Sequence, residues 1–311
     1  MAAHDSTLRT QPDLRLRAER RRIGEDVVKG ALALCALVSV LTTVGIVVAL
    51  LQPSIEFFRE INFIDYITGT DWAPLFEPAR FGVLPLIVGT LSVTFWACFV
   101  CIPFGLGSAI YLSEYARPRV RRLLKPALEV LAGIPTVVYG FFALTFFTPL
   151  LQDVGTGVGI FNALSAGIVM GVMLIPTVAS ISEDAMSAVP RDLRAGGYAL
   201  GASRLQVSTR VVVPAAISGI VASFVLAVSR AIGETMIVLI AAGTLPQLTL
   251  DPRESVETMT AFIAATGIGD VPTGSVEYKT IFAVGLTLFC FTLVMNMVAI
   301  RLVRRYREAY E

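Results

Sequence analysis

Six long apolar segments constrain the fold of this chain more than any other feature. They cover approximately residues 28–51, 83–112, 127–151, 158–181, 212–243 and 280–300. A helix needs about 20 apolar residues to cross the hydrocarbon core of a bilayer, and each segment reaches that length. The segments are continuous rather than alternating in polarity, which favours helices over a membrane β-barrel. We therefore predict an all-α polytopic membrane protein with six transmembrane helices.

The composition excludes several classes of protein. Of the 311 residues, 55% are hydrophobic and only 16% are charged, whereas soluble domains carry about 25% charged residues. The single histidine, His4, cannot supply a catalytic triad or a histidine-ligated metal site, so we expect neither an enzyme nor a metal-binding protein. The 25 basic and 24 acidic residues nearly balance, which argues against a uniformly basic surface for nucleic acid.

The cysteines indicate no disulfide framework. All four lie within apolar segments, at Cys35, Cys98, Cys101 and Cys290. Cys98 and Cys101 have CxxC spacing, but no second Cys or His pair lies nearby in the sequence. We interpret them as small buried apolar residues.

Basic residues are concentrated in alternate segments between the spans. Seven Lys or Arg residues lie within 1–29, five within 113–126, four within 182–211 and four from Arg301 onward. The opposite segments contain only Arg59, Arg80, Arg253 and Lys279. Because positive charge favours the cytoplasmic side, both termini are predicted to be cytoplasmic. Residues 1–27 then form a basic cytoplasmic tail, 28–311 form the transmembrane domain, and about 52–82 and 244–279 form its external loops.

Two opposite charges interrupt the fifth apolar segment. Arg230 and Glu234 are four residues apart, a spacing that places them on one face of a continuous helix. An arginine at a helix centre costs about 2.5–3.5 kcal/mol on insertion scales, so it usually faces a protein interior or a watery path. Either the pair neutralises itself and fixes helix packing, or it handles an anion, since a guanidinium suits tetrahedral oxyanions. Gly233 leaves the backbone approachable on that turn.

The third and fourth segments contain residues that affect helix packing. Pro135 lacks a backbone donor and should kink or open its helix, so that freed carbonyls with Thr136 and Tyr139 could line a cavity. Gly167 and Gly171 form a GxxxG motif in the fourth segment, which allows another helix to approach closely. Chance is an equally good explanation of that motif in a chain with 25 glycines.

The polar segment 182–211 is predicted to lie on the cytoplasmic face. Apolar side chains recur among its charged residues at roughly helical spacing, at Leu193, Tyr198, Leu200, Leu205 and Val207. This pattern predicts a short surface helix. Its glycines, Gly196, Gly197 and Gly201, would weaken that helix but would let a partner approach. An ordinary solvated loop is the alternative.

The stretch VPRDLRAGGYALGASRLQVSTRVVVPAAISG resembles the cytoplasmic coupling loop of ABC-importer permeases. In that family the pattern is Glu-Ala-Ala, three residues, Gly, a spacer and Pro. Here Ala195, Gly196 and Gly197 take the first three places, Gly201 takes the glycine place and Pro214 the proline place. The glutamate is missing, which puts in doubt an acidic contact with the ATPase. The resemblance implies a type I, MetI-like fold and an ATPase-coupling helix that carries the motif residues, including Gly201, with Arg194 and Leu205 beside them.

Five further stretches resemble the PstC group of phosphate-transport permeases. They read FGVLPLIVGTLSVT, YLSEYARP, LKPALEVLAGIPTVVYGFFAL, PTVASISEDAMSAVP and SRAIGETMIVLIAAG. In the sister group PstA the last stretch tends to continue differently after Arg-Ala-x-Gly-Glu-Thr, with Ala-Pro-Leu in place of Met236, Ile237 and Val238. In the PstC group the Arg and Glu of this stretch are linked to phosphate translocation, and they correspond to Arg230 and Glu234.

The resemblance also implies partners and a location. These are a PstA-type permease in a heterodimer, two PstB-type ATPase subunits, a PstS-type phosphate-binding protein, inorganic phosphate and the lipid of a bacterial inner membrane. The chain has no GxxxxGK[ST] loop, so ATP and Mg²⁺ are expected on the partner ATPase and no cofactor on this chain. Permeases for sulfate, molybdate or phosphonate share the fold and remain an alternative. A membrane anchor or receptor without transport is another, and it would need no Arg230.

Overall fold

The structure is a computed structural model that describes the backbone of residues 14–305 and the side chains of residues 25–301. It divides into two compact units, one up to Gln52 and the other from Pro53 onward. The predicted tail residues 1–13, with His4, and residues 306–311 lie outside the described residues. The helices are α1 (Leu14–Glu60), α2 (Phe63–Thr68), α3 (Leu84–Ile110), α4 (Pro118–Ala132), α5 (Thr136–Phe142), α6 (Thr148–Asp153), α7 (Ala163–Ser187), α8 (Arg191–Ala199), α9 (Arg204–Val207), α10 (Val213–Ala215), α11 (Ile217–Ile232), α12 (Met259–Gly267) and α13 (Val276–Arg305).

π-Helical turns extend or connect several of these helices. They cover Tyr111–Tyr115, Ala143–Phe147, Ser208–Val212 and Val238–Ala242. The only strands in the described part of the chain are β1 (Trp72–Ala73) and β2 (Arg80–Phe81), which pair antiparallel with Trp72 opposite Phe81. The fold is therefore all-α apart from one short ribbon, as the sequence predicts.

The first unit contains one helical stretch. Helix α1 begins at Leu14, so residues 14–27 of the predicted basic tail are helical; the cytoplasmic location of the tail stays a prediction. The predicted first span, 28–51, lies wholly within α1. Its sequence from Ala31 to Leu51 is predominantly apolar and has no charged residue, as in a helix suited to lipid.

Helix α7 is the central helix of the second unit. It packs against α3, α4, α5 and α11, and its side chains form much of the main core. More than half of the most apolar stretch of α7 is buried, whereas only 11% of the corresponding stretch of α13 is buried. In a membrane protein the burial of α7 separates it from lipid, whereas α13 leaves most of its surface free for lipid or a partner subunit.

The GxxxG motif lies where α7 packs tightly against α3. A Cβ on Gly171 would lie 2.7 Å from the carbonyl oxygen of Ala97 and from Cβ of Val100. Gly167 similarly abuts Trp96 and Val93. Both glycines are thus needed for packing, which decides between the two interpretations of the motif.

The predicted third span, 127–151, is wrong as a single helix. Helix α4 begins at Pro118, nine residues earlier, and α5 follows it after a bend of 87° between Pro118–Ala132 and Thr136–Asp153. The bend falls at Gly133–Pro135, as expected of a proline that cannot donate to the preceding turn. The early start reflects Pro118, which occupies the first helical position, where its missing N–H is not needed.

The predicted fifth span, 212–243, is also not one helix. A bend of 71° separates Arg204–Ala215 from Ile217–Ile232, and α11 ends at Ile232. Together with α1, α3, α7 and α13, the two bent pairs give up to six spans in the described part of the chain. The expected number is reached only when each bent pair counts as one span.

The predicted external loops contain ordered structure. The 52–82 segment includes the end of α1, α2 and the ribbon, and 244–279 includes α12. Aromatic rings from both segments pack together, with Trp72 and Phe262 edge to face at 4.9 Å. These rings join a second core with Phe57, Tyr66 and Met259. The two segments therefore form one folded cap.

The close approach of α7 to α3 predicts the effect of added volume. Gly171→Ala should lower the free energy of unfolding by about 1–3 kcal/mol, because an overpacked site must shift its neighbours. The measurement is denaturant unfolding of the purified chain in mild detergent. Gly107→Ala in α3 is the matched control, since nothing lies within 4 Å of its Cβ position. Equal effects of the two substitutions would contradict the assignment of Gly171 to a tight helix contact.

Candidate functional site

Arg230 and Glu234 lie on opposite sides of a helix break. Arg230 is in the last turn of α11, which ends at Ile232 with Gly233 as its C-cap. Glu234 and Thr235 are not helical, and the chain becomes helical again at Met236. The prediction that the two charges share one helix face is therefore wrong. Its premise of a continuous helix fails because Gly233 ends α11 and Glu234 starts the next turn.

Glu234 is fixed by the backbone on the far side of the break. Its Oε1 accepts hydrogen bonds from the amides of Met236 (3.1 Å) and Ile237 (3.4 Å). A carboxylate at the start of a helix satisfies free amides and suits the positive end of the helix dipole. The carbonyl oxygen of Glu234 accepts a hydrogen bond from Thr260 Oγ1 at 2.6 Å. Glu234 is only 9% exposed. Its hydrogen bonds hold the backbone in place on the far side of the break.

Arg230 has a different environment. Its side chain is exposed in the isolated subunit. Within the described residues it has no hydrogen bond and no ion pair, and none of its nitrogens lies within 4.0 Å of a Glu234 carboxylate oxygen. The structure thus argues against mutual neutralisation of the two charges. A guanidinium is left free to bind a group that this subunit does not provide.

Asn296 is a polar neighbour of this break that the sequence reasoning missed. Its Oδ1 accepts a hydrogen bond from Ser229 Oγ at 2.7 Å, which ties α11 to α13 next to Arg230. The signal was present in the sequence as a lone amide within the apolar stretch VMNMV. Polar side chains within membrane helices commonly hydrogen-bond across a helix pair.

The break at Pro135 is repaired by a side chain. Pro135 cannot donate to the carbonyl of Leu131, and Tyr139 donates its hydroxyl to that same oxygen at 2.8 Å. Tyr139 is buried, and Thr136 is partly buried at the start of α5. This hydrogen bond uses the Tyr139 hydroxyl and the Leu131 carbonyl within the subunit, and the lining of a cavity by Pro135, Thr136 and Tyr139 stays a prediction. Pro135 itself caps α5 in extended backbone geometry.

The predicted surface helix in the coupling segment is present in part, as α8 with Leu193 and Tyr198. Helix α8 ends before Leu200, and Leu205 and Val207 lie in the separate helix α9. Ala195 and Gly196 are exposed on α8, and no atom lies within 4 Å of a Cβ placed on Gly196. Gly197 instead packs against Val207, and Gly201 has φ +79°, which favours glycine. Beyond α8, Leu200 is 90% exposed and Leu205 is 63% exposed. Two exposed leucines beside an approachable glycine surface are suited to packing against another protein.

Arg194 faces the permease rather than solvent. It donates to the carbonyls of Val189 (2.6 Å) and Met186 (2.8 Å) at the end of α7, and to Glu114 Oε1 at 3.1 Å. Both charged side chains are largely buried, at 18% and 5% exposure. Arg194 therefore attaches α8 to α7 and to the π-helical turn after α3. The interpretation of Arg194 as an outward contact gains no support from this geometry.

A second ion cluster, centred on Glu183, was also missed. The fully buried Glu183 carboxylate accepts hydrogen bonds from Arg121, from Lys125 at 2.9 Å and from Ser187 at 2.9 Å. The cluster joins α4 to the end of α7 near the coupling segment. The available signal was a pair of adjacent acids, Glu183 and Asp184, near the end of an otherwise apolar segment, with basic residues on the amphipathic segment before it.

Metal ligation has no obvious place in the described residues. No group of three or more His, Cys, Asp or Glu side chains there could hold a metal ion, and Cys35, Cys98, Cys101 and Cys290 are free thiols.

Solved structures share this arrangement of helices. This chain matches a chain of a bacterial alginate ABC transporter with a TM-score of 0.65. The alginate transporter was solved in complex with a periplasmic protein bound to an alginate pentasaccharide. That match has 15% identity and covers 92% of this chain and 96% of the other. The MetNI methionine ABC transporter gives a TM-score of 0.56 at 18% identity, over 73% and 96% of the two chains. The fold is that of the membrane-spanning subunits of ABC transporters.

The family follows from sequence. Residues 101–308 match the model of the binding-protein-dependent transport system inner membrane component, and the chain belongs to that family. A probable ABC transporter permease protein of Bacillus subtilis, YqgH, is 36% identical over 93% of this chain and 94% of its own. The phosphate transport system permease protein PstC of Haemophilus influenzae is 30% identical over 91% and 94%. The PstC 1 protein of Mycobacterium tuberculosis is 32% identical over 79% and 83%. The chain is thus a multi-pass inner-membrane transport component rather than a catalytic enzyme.

The repair of the Pro135 break predicts a specific loss. Tyr139→Phe should lower the free energy of unfolding by about 1 kcal/mol, because one hydrogen bond to a break carbonyl is lost. Denaturant unfolding in detergent measures it. Tyr198→Phe is the control, since Tyr198 is exposed and its hydroxyl has no partner among the described residues. An unchanged stability of Tyr139→Phe would show that the hydroxyl does not stabilise the bend.

The attachment of α8 through Arg194 predicts a local effect. Arg194→Ala should weaken the docking of α8 by about 1.5–3 kcal/mol, since hydrogen bonds of a charged group are lost. Amide hydrogen exchange in α8 should then be at least tenfold faster. Arg191→Ala provides the control, because Arg191 is exposed and has no partner among the described residues. Unchanged exchange in Arg194→Ala would rule out this attachment.

Proposed function

We propose that this chain is a permease subunit of an ATP-driven importer and that its substrate is inorganic phosphate. The observation that carries the proposal is the free guanidinium of Arg230 beside a break in a membrane helix. Similarity to PstC proteins over most of the chain supports the substrate. Permeases for sulfate, molybdate or phosphonate are the competing assignment.

Arg230 would provide the anion contact. A guanidinium can donate two parallel hydrogen bonds to a tetrahedral oxyanion, and it remains charged at every physiological pH. Its exposed position at the end of α11 leaves it accessible from a path between this subunit and a second permease. Binding must remain weak enough for release, because a deep anion trap would slow transport.

Glu234 would contribute to selectivity. One carboxylate oxygen, Oε1, is occupied by backbone amides, whereas Oε2 has no partner within the described residues. That oxygen could accept a hydrogen bond from an anion that still carries a proton. Phosphate carries one near neutral pH, and sulfate does not, so this arrangement favours phosphate. The role of Gly233 would be to end α11 and keep the two charges apart.

The partners on this proposal are a PstA-type permease, two PstB-type ATPase subunits and a PstS-type phosphate-binding protein. The ATPase would bind ATP and Mg²⁺ and would pack against the exposed surface of Ala195, Gly196, Leu200 and Leu205. Arg194 would transmit the movement of α8 to α3 and α7. The segments with most basic residues, including both termini, would face the cytoplasm.

The test is uptake of labelled phosphate by cells that lack the native chain and express variants. Arg230→Gln should reduce uptake at least tenfold, since loss of a charged hydrogen bond costs about 1.5–3 kcal/mol. Arg230→Lys should retain an intermediate rate, because it keeps the charge and loses the fork. Unlabelled arsenate should compete with phosphate, and sulfate should not.

The control variant is Arg59→Gln, which removes an exposed arginine at the end of α1. It should transport normally. Co-purification of the partner permease with each variant shows that the complex is assembled. Normal uptake by assembled Arg230→Gln would refute the role of Arg230, whereas competition by sulfate but not by arsenate would refute the substrate.

A further inference from the structure

A cavity of about 430 Å³ lies between the short ribbon and α12, on the face that the charge distribution predicts to be external. Its lining is provided by the turn between β1 and β2, by the segment before α12 and by α12 itself. The residues that define its chemistry are Trp72, Phe76, Glu257, Phe262 and Asp270. The lining contains no Lys, Arg or His.

Two residues of the cavity lining carry a polar group without a partner. Glu257 is 5% exposed, and its carboxylate makes no hydrogen bond or ion pair with any described residue. Trp72 is 3% exposed, and its indole Nε1 likewise has no acceptor among the described residues. Each unmatched buried polar group costs about 1–3 kcal/mol. The indole N–H of Trp72 has no accessible surface, so it is the unpartnered carboxylate of Glu257, in the cavity lining, that indicates a ligand completes the site.

The chemistry of the wall selects a cation. A carboxylate with aromatic faces around it is the environment that ammonium and guanidinium groups prefer, since both the charge and the ring quadrupole attract them. The rings of Trp72 and Phe262 pack edge to face at 4.9 Å, which fixes their orientation. Asp270 adds a second acidic group at the exposed rim.

We propose that this cavity is a binding site for an organic cation, a guanidinium or an ammonium group, with Glu257 as its counter-ion and Trp72 and Phe262 as its walls. The group could be carried by a basic side chain of a protein that docks on this face, or by a free small amine.

The site lies close to the candidate translocation break. Glu257 begins the short segment that leads into α12, and three residues later Thr260 donates its hydroxyl to the carbonyl of Glu234. Met259, the first residue of α12, donates its amide to Thr90 Oγ1 of α3 at 3.1 Å. An occupant bound to Glu257 would therefore contact the segment that supports the break.

The test exploits the fact that the chain has only two tryptophans. In a Trp96→Phe background, Trp72 is the sole tryptophan, and the purified full chain in detergent is titrated with methylguanidinium. We expect a saturable change in Trp72 fluorescence. N-methylurea, which has a similar shape and no charge, should produce none. A response to both compounds, or to neither, would overturn the proposal.

Variants identify the counter-ion. Glu257→Gln should weaken methylguanidinium binding at least tenfold, and its near-identical shape should preserve the fold, as reported by the Trp72 emission maximum. Glu254→Gln is the matched control, since Glu254 is exposed and lies outside the cavity lining. Equal weakening by both variants would show that only the overall negative charge matters, and this would also overturn the site.

The pH dependence provides an independent readout. Burial raises the pKa of Glu257 to about 8, and a cation binds its ionised form. Affinity should therefore rise about tenfold per pH unit below pH 8 and level off above it. Asp270 is the only other titratable residue in the lining, and the α3 turn that packs against Glu257, at Gly89 and Thr90, carries no charge. Affinity independent of pH between 6 and 8 would contradict binding to Glu257.

The source of the cation is distinguished in the assembled importer in liposomes with its binding protein outside. If a basic side chain of the binding protein occupies the cavity, millimolar methylguanidinium should raise the concentration of binding protein needed for half-maximal transport. If a free amine is the ligand, the concentration of binding protein needed for half-maximal transport should stay constant. Methylguanidinium should still bind to the Trp96→Phe variant in the fluorescence titration. Because Glu257 is distinct from Arg230, failure here would leave the proposed phosphate path unaffected.

Discussion

The need to satisfy backbone polar groups without water determines this structure more than any other interaction. A membrane helix satisfies them internally, and each break exposes groups that must find other partners. At Pro135 the hydroxyl of Tyr139 reaches the carbonyl of Leu131. At Gly233 the carboxylate of Glu234 accepts from two amides while Thr260 donates to its carbonyl. The two breaks are therefore built features, held by specific side chains.

The hydrogen bonds at the Gly233 break give the two charges of the fifth apolar segment different roles. Glu234 is used by the backbone, and Arg230 remains without a partner in the described part of the subunit. An unpaired guanidinium in a membrane segment is costly, so it needs a partner subunit, water or an anion. In the coupling segment, Arg194 is likewise already paired, because it donates hydrogen bonds to Glu114 and to a carbonyl of α7. The exposed side chains around it remain for another protein.

Much of this fold could be predicted from sequence, because apolar length and charge distribution report directly on membrane spans. The GxxxG contact, the opening at Pro135 and the surface helix α8 were likewise accessible, since each depends on local residues. Three features were not accessible. The end of α11 at Gly233 contradicts a helical spacing that was read as continuous, and the inward direction of Arg194 depends on Glu114, eighty residues earlier. The folded cap, with Glu257 beneath Trp72, depends on packing between two distant loops.

The phosphate path depends on Arg230 facing water within the membrane. Arg230→Cys, in a chain whose four native cysteines are replaced by serine or alanine, can be tested with a negatively charged, membrane-impermeant thiol reagent on the assembled importer. Rapid modification is expected, at a rate that changes when ATP is added, since the path alternates between its two sides. If the reagent never modifies the cysteine at position 230, with or without ATP, Arg230 does not face an aqueous path.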